Sequence, residues 1–333
     1  MWAAVSLKKN RSISGLALVI VVAATVFFVA MNRDPRYQGR SARQWVGQLV
    51  RNETDARHAL LELGPAAVPA LADALDARRS WLEKKLESFR PRLPRWIARR
   101  LLSPVEASVR QQRALKVLDA MGPSAAAALP ALLALDCRVS DEFYFYPSSP
   151  QRVIFSIGEA GVPHLARVLD RGKVPATRAA AAMYLGLIGA KAAPASAALA
   201  KALRDVSPAV RNAAVNALDQ IGPPAAAALP ALRAALKLDN DDFRLQVAEA
   251  LWDIGQDAEM TVPVLVKVLR DPQHPNRARA ATILARMGPA AKAAVPALAA
   301  VTQEQFSYTR VKAEEALKQI GGREAAQGTD KPE

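Results

Sequence analysis

The chain has 333 residues, carries 45 Lys/Arg against 31 Asp/Glu for a formal net charge of +14, and is 51% hydrophobic but only 5% aromatic. That apolar content excludes disorder along the whole length, and its weight in Ala and Leu, which favour helices over strands, argues against an all-β fold. One Cys excludes a disulfide framework or a cysteine-rich metal site, and three His residues leave little material for a zinc enzyme.

The charge is concentrated near the N-terminus. Residues 1–110 hold 19 Lys/Arg and 9 Asp/Glu, whereas residues 111–333 hold 26 and 22. After a tail over 1–12, no charge occurs from Ser12 to Asn32, and residues 13–31 are the most apolar stretch. As a helix these residues span about 28 Å, at roughly 1.5 Å each, close to the hydrocarbon thickness of a bilayer. A cleaved signal peptide fits less well, because cleavage after Ala30 puts Phe28 at the −3 position. A buried core helix is the remaining alternative, but the stretch has no polar face. The expectation is a single-pass transmembrane anchor followed by a linker over 32–40. Lys8, Lys9 and Arg11 on one side nearly balance Arg33, Arg36, Arg40 and Arg43 on the other. A short N-terminal tail retained in the cytoplasm then places the remainder in the periplasm or otherwise outside the cytoplasm.

From residue 41 to 322 one pattern recurs. An aliphatic residue and Gly, often with Pro, precede Ala-rich sequence and then Pro and Leu. The glycines are Gly64, Gly122, Gly158, Gly189, Gly222, Gly255, Gly288 and Gly321, with gaps of 58, 36, 31, 33, 33, 33 and 33. A period near 33 means stacked supersecondary units, each too small to bury its own apolar face. Before the glycines, Ile221, Leu218 and Ala214 recur as Ile254, Leu251 and Val247, as Met287, Leu284 and Ala280, and as Ile320, Leu317 and Ala313. Steps of three and four place them on one face of a helix. The Gly is expected to end that helix in the left-handed conformation. The Ala-rich segment is expected to open the next helix, with Pro69, Pro130, Pro163, Pro230, Pro263 and Pro296 in its first turn. The fold class is therefore all-α: an α-solenoid of helical hairpins plus one transmembrane helix.

Arg178, Arg211, Arg244, Arg277 and Arg310 each lie 11 residues before their Gly. In the first turn of a second helix the macrodipole disfavours a cation, so each needs an acceptor. Asp205, Asp271 and Glu304 lie six residues before three of these arginines. The pattern predicts a structural ladder of Arg-to-carboxylate and Arg-to-carbonyl bonds joining loops of successive units. A row of guanidinium groups for an anionic ligand is the functional alternative.

Two segments break the period. An insertion at about 76–103 has nine Lys/Arg between Arg78 and Arg100 against Glu83 and Glu87. It contains Trp81, Arg92, Arg95, Trp96, Arg99 and Arg100, which are candidate partner or lipid contacts. A helical hairpin docked on the repeats, a basic amphipathic piece on anionic lipid, a protein contact and a nucleic-acid grip are all compatible with it. The loop 141–150 carries Phe143, Tyr144, Phe145 and Tyr146, either as a local plug or as an exposed hot spot. A polar tail over 323–333 is expected to be disordered.

The Gly64–Leu71 and Gly288–Leu298 strings and the Arg211–Gly222 helix resemble HEAT-like repeats, in particular the short-repeat branch also found in phycobilin lyases. Residues 37–45 resemble the lead-in that follows an N-terminal anchor in bacterial HEAT-repeat proteins. The resemblance implies a curved, right-handed α-solenoid of stacked HEAT-like hairpins that binds other proteins. His58, His164 and His274 fall in separate repeats, Asp239, Asp241 and Asp242 lack the other ligands of a calcium loop, and Cys137 has no His nearby in sequence. No catalytic residue, metal or cofactor is assigned, and no small-molecule substrate. The functional expectation is a non-catalytic, membrane-anchored scaffold or adaptor for a protein partner, with nucleic acid a poor fit to an extracytoplasmic domain. A lyase-like or other helical-repeat enzyme is the alternative.

Overall fold

The computed structural model describes residues 36–75, 104–139, 149–238, 241–304 and 307–321. The apolar segment 13–31, the basic insertion at 76–103, the aromatic residues 143–146 and the tail 323–333 lie outside the described residues. The chain divides into two compact units. Of the described residues, the first takes 36–75, 104–132 and 149–156, and the second takes 133–139, 157–238, 241–304 and 307–321.

In the first unit, two-residue strands β1 (Arg36–Tyr37) and β2 (Arg40–Ser41) pair antiparallel, with Arg36 opposite Ser41. Gln38 and Gly39 between them both have positive φ, as a primed two-residue hairpin turn requires. Ser41 and Gln44 then form a reciprocal capping box that starts α1 (Ala42–Gln48). The Trp45 Nε1–H donates to the Tyr37 carbonyl at 3.0 Å, which ties the hairpin to this helix. Helices α2 (Glu53–Leu63), α3 (Val68–Leu75) and α4 (Pro104–Met121) follow. Arg113 of α4 donates to the Leu49 and Val50 carbonyls at the end of α1 and pairs with Glu53. Helix α5 (Leu129–Val139) crosses the division between the units, and α6 (Pro150–Ile157) belongs to the first except for its last residue.

The second unit holds five helical hairpins among the described residues. They are α7 (Val162–Arg171) with α8 (Pro175–Ile188), α9 (Ser196–Ala202) with α10 (Pro208–Ile221), α11 (Leu229–Ala235) with α12 (Asp241–Gly255), α13 (Ala258–Arg270) with α14 (Arg277–Met287), and α15 (Val295–Thr302) with α16 (Tyr308–Ile320). Each second helix packs on the next, α8 on α10, α10 on α12, α12 on α14 and α14 on α16. Leu185, Leu218, Leu251 and Leu284 are fully buried at one repeat position, and Ala181, Ala214, Val247, Ala280 and Ala313 at another. The first helices supply Leu165, Leu199, Leu232, Leu265 and Leu298 to the same seams. Each such leucine contributes about 1.5–3 kcal/mol on burial, and the small residues let adjacent second helices approach closely.

The Ala-rich segments differ from expectation. They form 3-10 turns ahead of the helix rather than its first turn, over Gly64–Ala67, Gly122–Ala128, Gly189–Ala195, Pro223–Ala228 and Gly288–Ala294. The buried alanines explain the choice. Ala125 and Ala128, Ala192 and Ala195, Ala225 and Ala228, and Ala291 and Ala294 lie three apart and are buried. A helix with three residues per turn puts such pairs on one side. Pro130, Pro230 and Pro296 then occupy the second position of α5, α11 and α15. Pro263 does not follow the rule. No 3-10 turn precedes α13, Asp257 caps it directly, and Pro263 falls in its interior.

The glycines also divide. Gly64, Gly122, Gly158, Gly189, Gly222 and Gly288 have positive φ, but Gly255 and Gly321 do not. After α12 the left-handed position moves one residue on, to Gln256 at φ 54°. A Cβ at Gly255 would come within 2.7 Å of a Leu229 side-chain methyl group, so that side chain packs directly against the glycine. Two described stretches, Glu106–Cys137 and Pro175–Ala202, are apolar and long enough to cross a membrane by composition. Each bends at a left-handed glycine, Gly122 or Gly189, and about half of the most apolar 18-residue window in each is buried, at 50% and 44%.

Candidate functional site

Two surfaces of the second unit carry its polar chemistry. The first is the row of loops that enter the second helices. Arg178, in the first turn of α8, donates through Nε and Nη2 to the Asp205 carboxylate, both at 2.8 Å, and through Nη1 to the Gly172 carbonyl at 2.9 Å. Asp205 lies in the loop of the following hairpin, so one guanidinium braces two successive loops. Arg277 repeats the arrangement, donating to the Leu269 carbonyl at 2.9 Å and bidentately to Glu304 at 3.0 and 2.5 Å. Hydrogen bonds from these arginines hold the Asp205 and Glu304 carboxyls below their usual range.

The other three arginines differ. Arg211 donates to the Asp205 and Val206 carbonyls at 2.9 and 3.3 Å, and its guanidinium lies 5.9 Å from the centre of the Phe243 ring. Arg244 pairs with Asp241 of its own helix, and Arg310 with Glu314 one turn further along α16. Asp271 caps its own turn, accepting from the Gln273 N–H at 3.0 Å. For Arg244, Asp241 on its own helix is thus taken in place of Asp271 in the following loop.

The second surface is the outward side of the second helices, at two and six residues before each glycine. The pair changes from repeat to repeat. It is Leu187 with Met183, Gln220 with Asn216, Asp253 with Glu249, Arg286 with Thr282, and Gln319 with Glu315. Met183 and Leu187 are exposed. On α14, Arg279 donates to Glu249 at 3.1 and 2.5 Å, and Arg286 donates to Glu249 at 2.8 Å and also to Asp253. Asp219 of α10 faces the same carboxylates, with its Oδ1 buried and without a hydrogen-bond partner. Burial and the neighbouring Asp253 and Glu249 push its pKa up to about 6. This carboxylate group was not legible in the sequence, because its members sit 30 and 34 residues apart in separate repeats.

A buried pair also escaped sequence reasoning. The Tyr184 hydroxyl on α8 donates to Asp136 on α5 at 2.8 Å. Tyr184 and Asp136 are 2% and 6% exposed, and burial raises the Asp136 carboxyl. Burial also pushes up the adjacent Cys137 thiol, with the Asp136 charge acting in the same direction. In a repeat pattern that otherwise uses Ala, Val or Ile at this position, the tyrosine is the only signal. Asp241 pairs with Lys267 as well as Arg244, and Asp242 accepts from the Asn276 side chain at 2.7 Å. Among the described residues, no three His, Cys, Asp or Glu side chains converge as a metal site. In the first unit, Gln38, Arg40, Trp45, Gln48, Asn52 and Asp55 line a polar pocket of about 290 Å³, with Arg40 over the Trp45 ring.

A protein-family model of HEAT repeats matches residues 162–252, within the second unit. Comparison with curated protein sequences gives no match. Among solved structures, an engineered protein is 19% identical, covering 84% of this chain and 78% of its own, with a TM-score of 0.44. A mutant of Kap121p is 16% identical over 83% of this chain and 34% of its own, at a TM-score of 0.48. Human deoxyhypusine hydroxylase in complex with glycerol is 19% identical over 84% of this chain and 97% of its own, at 0.28.

Proposed function

We propose that this chain is a membrane-anchored HEAT-repeat scaffold that binds a protein partner and performs no catalysis. In this reading residues 13–31 cross the membrane once and the repeats form a right-handed solenoid outside the cytoplasm. One observation carries the partner-binding role. Buried positions of the second helices repeat almost unchanged, while the outward pair varies from apolar to amide, acidic and basic. Packing needs the first regularity and does not need the second variation. A surface that changes chemistry along a row of rigid helices suits the recognition of one extended partner. Met183 and Leu187 are the natural anchor, because they are exposed and covering them with a partner removes apolar surface from water. The apolar length of 13–31 and the positive charge around it support the anchor.

Crosslinking in intact membranes, followed by purification, tests the partner role. Met183→Asp with Leu187→Asp is expected to abolish a crosslinked species that the unaltered chain forms. An unchanged crosslink pattern in the double variant overturns the assignment of that face. Reporter fusions after residue 333 test topology, and activity of only a cytoplasmic reporter refutes the extracytoplasmic placement.

A further inference from the structure

The geometry points to a second binding surface on the loop side of the repeats: a groove beside Val206 that takes an extended, acidic peptide segment carrying one aliphatic side chain. This inference rests on the partner-binding reading and names a surface and a partner chemistry which that reading does not.

Three observations carry it. First, the loop bearing Val206 is held in place from both sides. Arg178 grips the Asp205 carboxylate, and the Ser207 N–H donates to the same group at 2.9 Å. Arg211 holds the carbonyls of Asp205 and Val206. Yet the valine between these bonds is 89% exposed. A lone exposed aliphatic group is ordinary. A β-branched one on an immobilised backbone has already lost the freedom that binding would cost it.

Second, the loop borders a cavity of about 770 Å³ that runs from the end of α7 past α9 to the start of α11. Its lining includes Ala198, Ala202, Pro230 and Ala231, so the floor is small and apolar. The volume lies within the roughly 300–1,000 Å³ range of small-ligand sites, which suits a short length of chain rather than a folded domain. Gly172 closes one edge, where a Cβ would come within 2.5 Å of the Val168 carbonyl and 3.1 Å of the Arg178 side chain.

Third, the charges around the groove are unequally committed. Both of its acids are occupied, Asp205 by Arg178 and Asp170 by Lys201. Arg204 is exposed and has no carboxylate partner among the described residues. The Arg171 side chain is 80% exposed and only 3.8 Å from the already occupied Asp170. Two guanidinium groups therefore remain available above an apolar floor. Arginine in this state favours carboxylates, which it binds in a bidentate manner. The groove lining contains no aromatic side chain on which bases would stack.

The test uses the full-length chain in neutral phosphatidylcholine nanodiscs. The probe is a fluorescein-labelled peptide, Gly-Asp-Glu-Asp-Leu-Glu-Asp-Glu-Gly, followed by fluorescence anisotropy. Controls replace its acids with lysine or its leucine with serine. Saturable binding of the acidic peptide is expected, weakened at least about tenfold by Arg171→Glu with Arg204→Glu and also by Val206→Asp. Because all three side chains are exposed, far-UV circular dichroism melts are expected to stay unchanged. Absent or equal binding of acidic and lysine peptides overturns the proposal, as does undiminished binding by the charge-reversed variant. Loss on charge reversal with no effect of Val206→Asp or of the leucine-to-serine change also overturns it, because that is charge attraction alone. The Met183/Leu187 crosslink is measured in parallel. If it persists while the peptide arm fails, the groove falls and the scaffold reading stands. If it fails while the peptide arm holds, the second-helix face falls alone.

Discussion

Replacing Arg277 with alanine is expected to cost far more than the same change at Arg310, although both hold one position of the repeat. Arg277 is 8% exposed and makes three hydrogen bonds to groups outside its own helix. Its loss strands the Leu269 carbonyl in a buried site, at about 1.5–3 kcal/mol for a bond to a charged donor. The Glu304 side chain is 36% exposed and rehydrates, so the ion pair adds only about 1 kcal/mol after screening. The sum is about 2–4 kcal/mol. At roughly 2–4 °C per kcal/mol for a unit of this size, the melting temperature falls by about 5–15 °C. Arg310 is 39% exposed and, among the described residues, pairs with Glu314 on the same helix, worth about 0.3–0.5 kcal/mol. Circular dichroism melts of the full-length chain in detergent compare the two variants, and a double-mutant cycle with Glu304→Ala measures the pair directly. Equal shifts for Arg277→Ala and Arg310→Ala would falsify the view that these arginines brace successive loops.

Three further outcomes follow from named contacts. Asp219 has its pKa pushed to about 6 against an ordinary 3.8, so its stabilising contribution is complete below about pH 4 and is lost as pH rises through about 6. Asp219→Asn is therefore expected to stabilise the fold at neutral pH and to flatten its pH dependence across that window, in denaturant titrations at several pH values. The braced acids behave oppositely. Hydrogen bonds from Arg178 and Arg277 lower Asp205 and Glu304, so their contribution is present at neutral pH and lost as pH falls through the carboxylate range, and Asp205→Asn is expected to reduce acid sensitivity. Gly186→Val places a Cβ 2.4 Å from the Gln220 Oε1 and 2.9 Å from the Ala217 Cα, which forces α8 and α10 apart at about 1–3 kcal/mol, and unchanged urea midpoints would show that this seam is looser than described.

The seams between helices were legible because they are local. Ile221, Leu218 and Ala214 share a face within a single helix, and that arithmetic holds whatever the helix later touches. The 3-10 turns are equally present in the alanine spacing, three residues apart, but that spacing is also compatible with an α-helix, and only the packing of the buried alanines separates the two. Six of the eight repeat glycines take the left-handed conformation, but Gly321 ends α16 at a negative φ, and at Gly255 the helix runs through the glycine so that Gln256 takes the left-handed position instead.

The sequence by itself determined that paired helices recur every 33 residues, and it marked Arg178, Arg211, Arg244, Arg277 and Arg310 as needing acceptors. Which acceptors they take was decided only in three dimensions. Arg178 and Arg277 reach carboxylates 27 residues onward, whereas Arg244 and Arg310 close on acids within one turn of their own helices. Asp219 and Asp253, like Asp136 and Tyr184, meet because neighbouring hairpins stack in register. Periodicity along one helix is a property of the backbone repeat, but the distance between loops of different hairpins exists only after those hairpins have packed. A side chain's partner, and with it the chemistry of a surface, is settled at that later step.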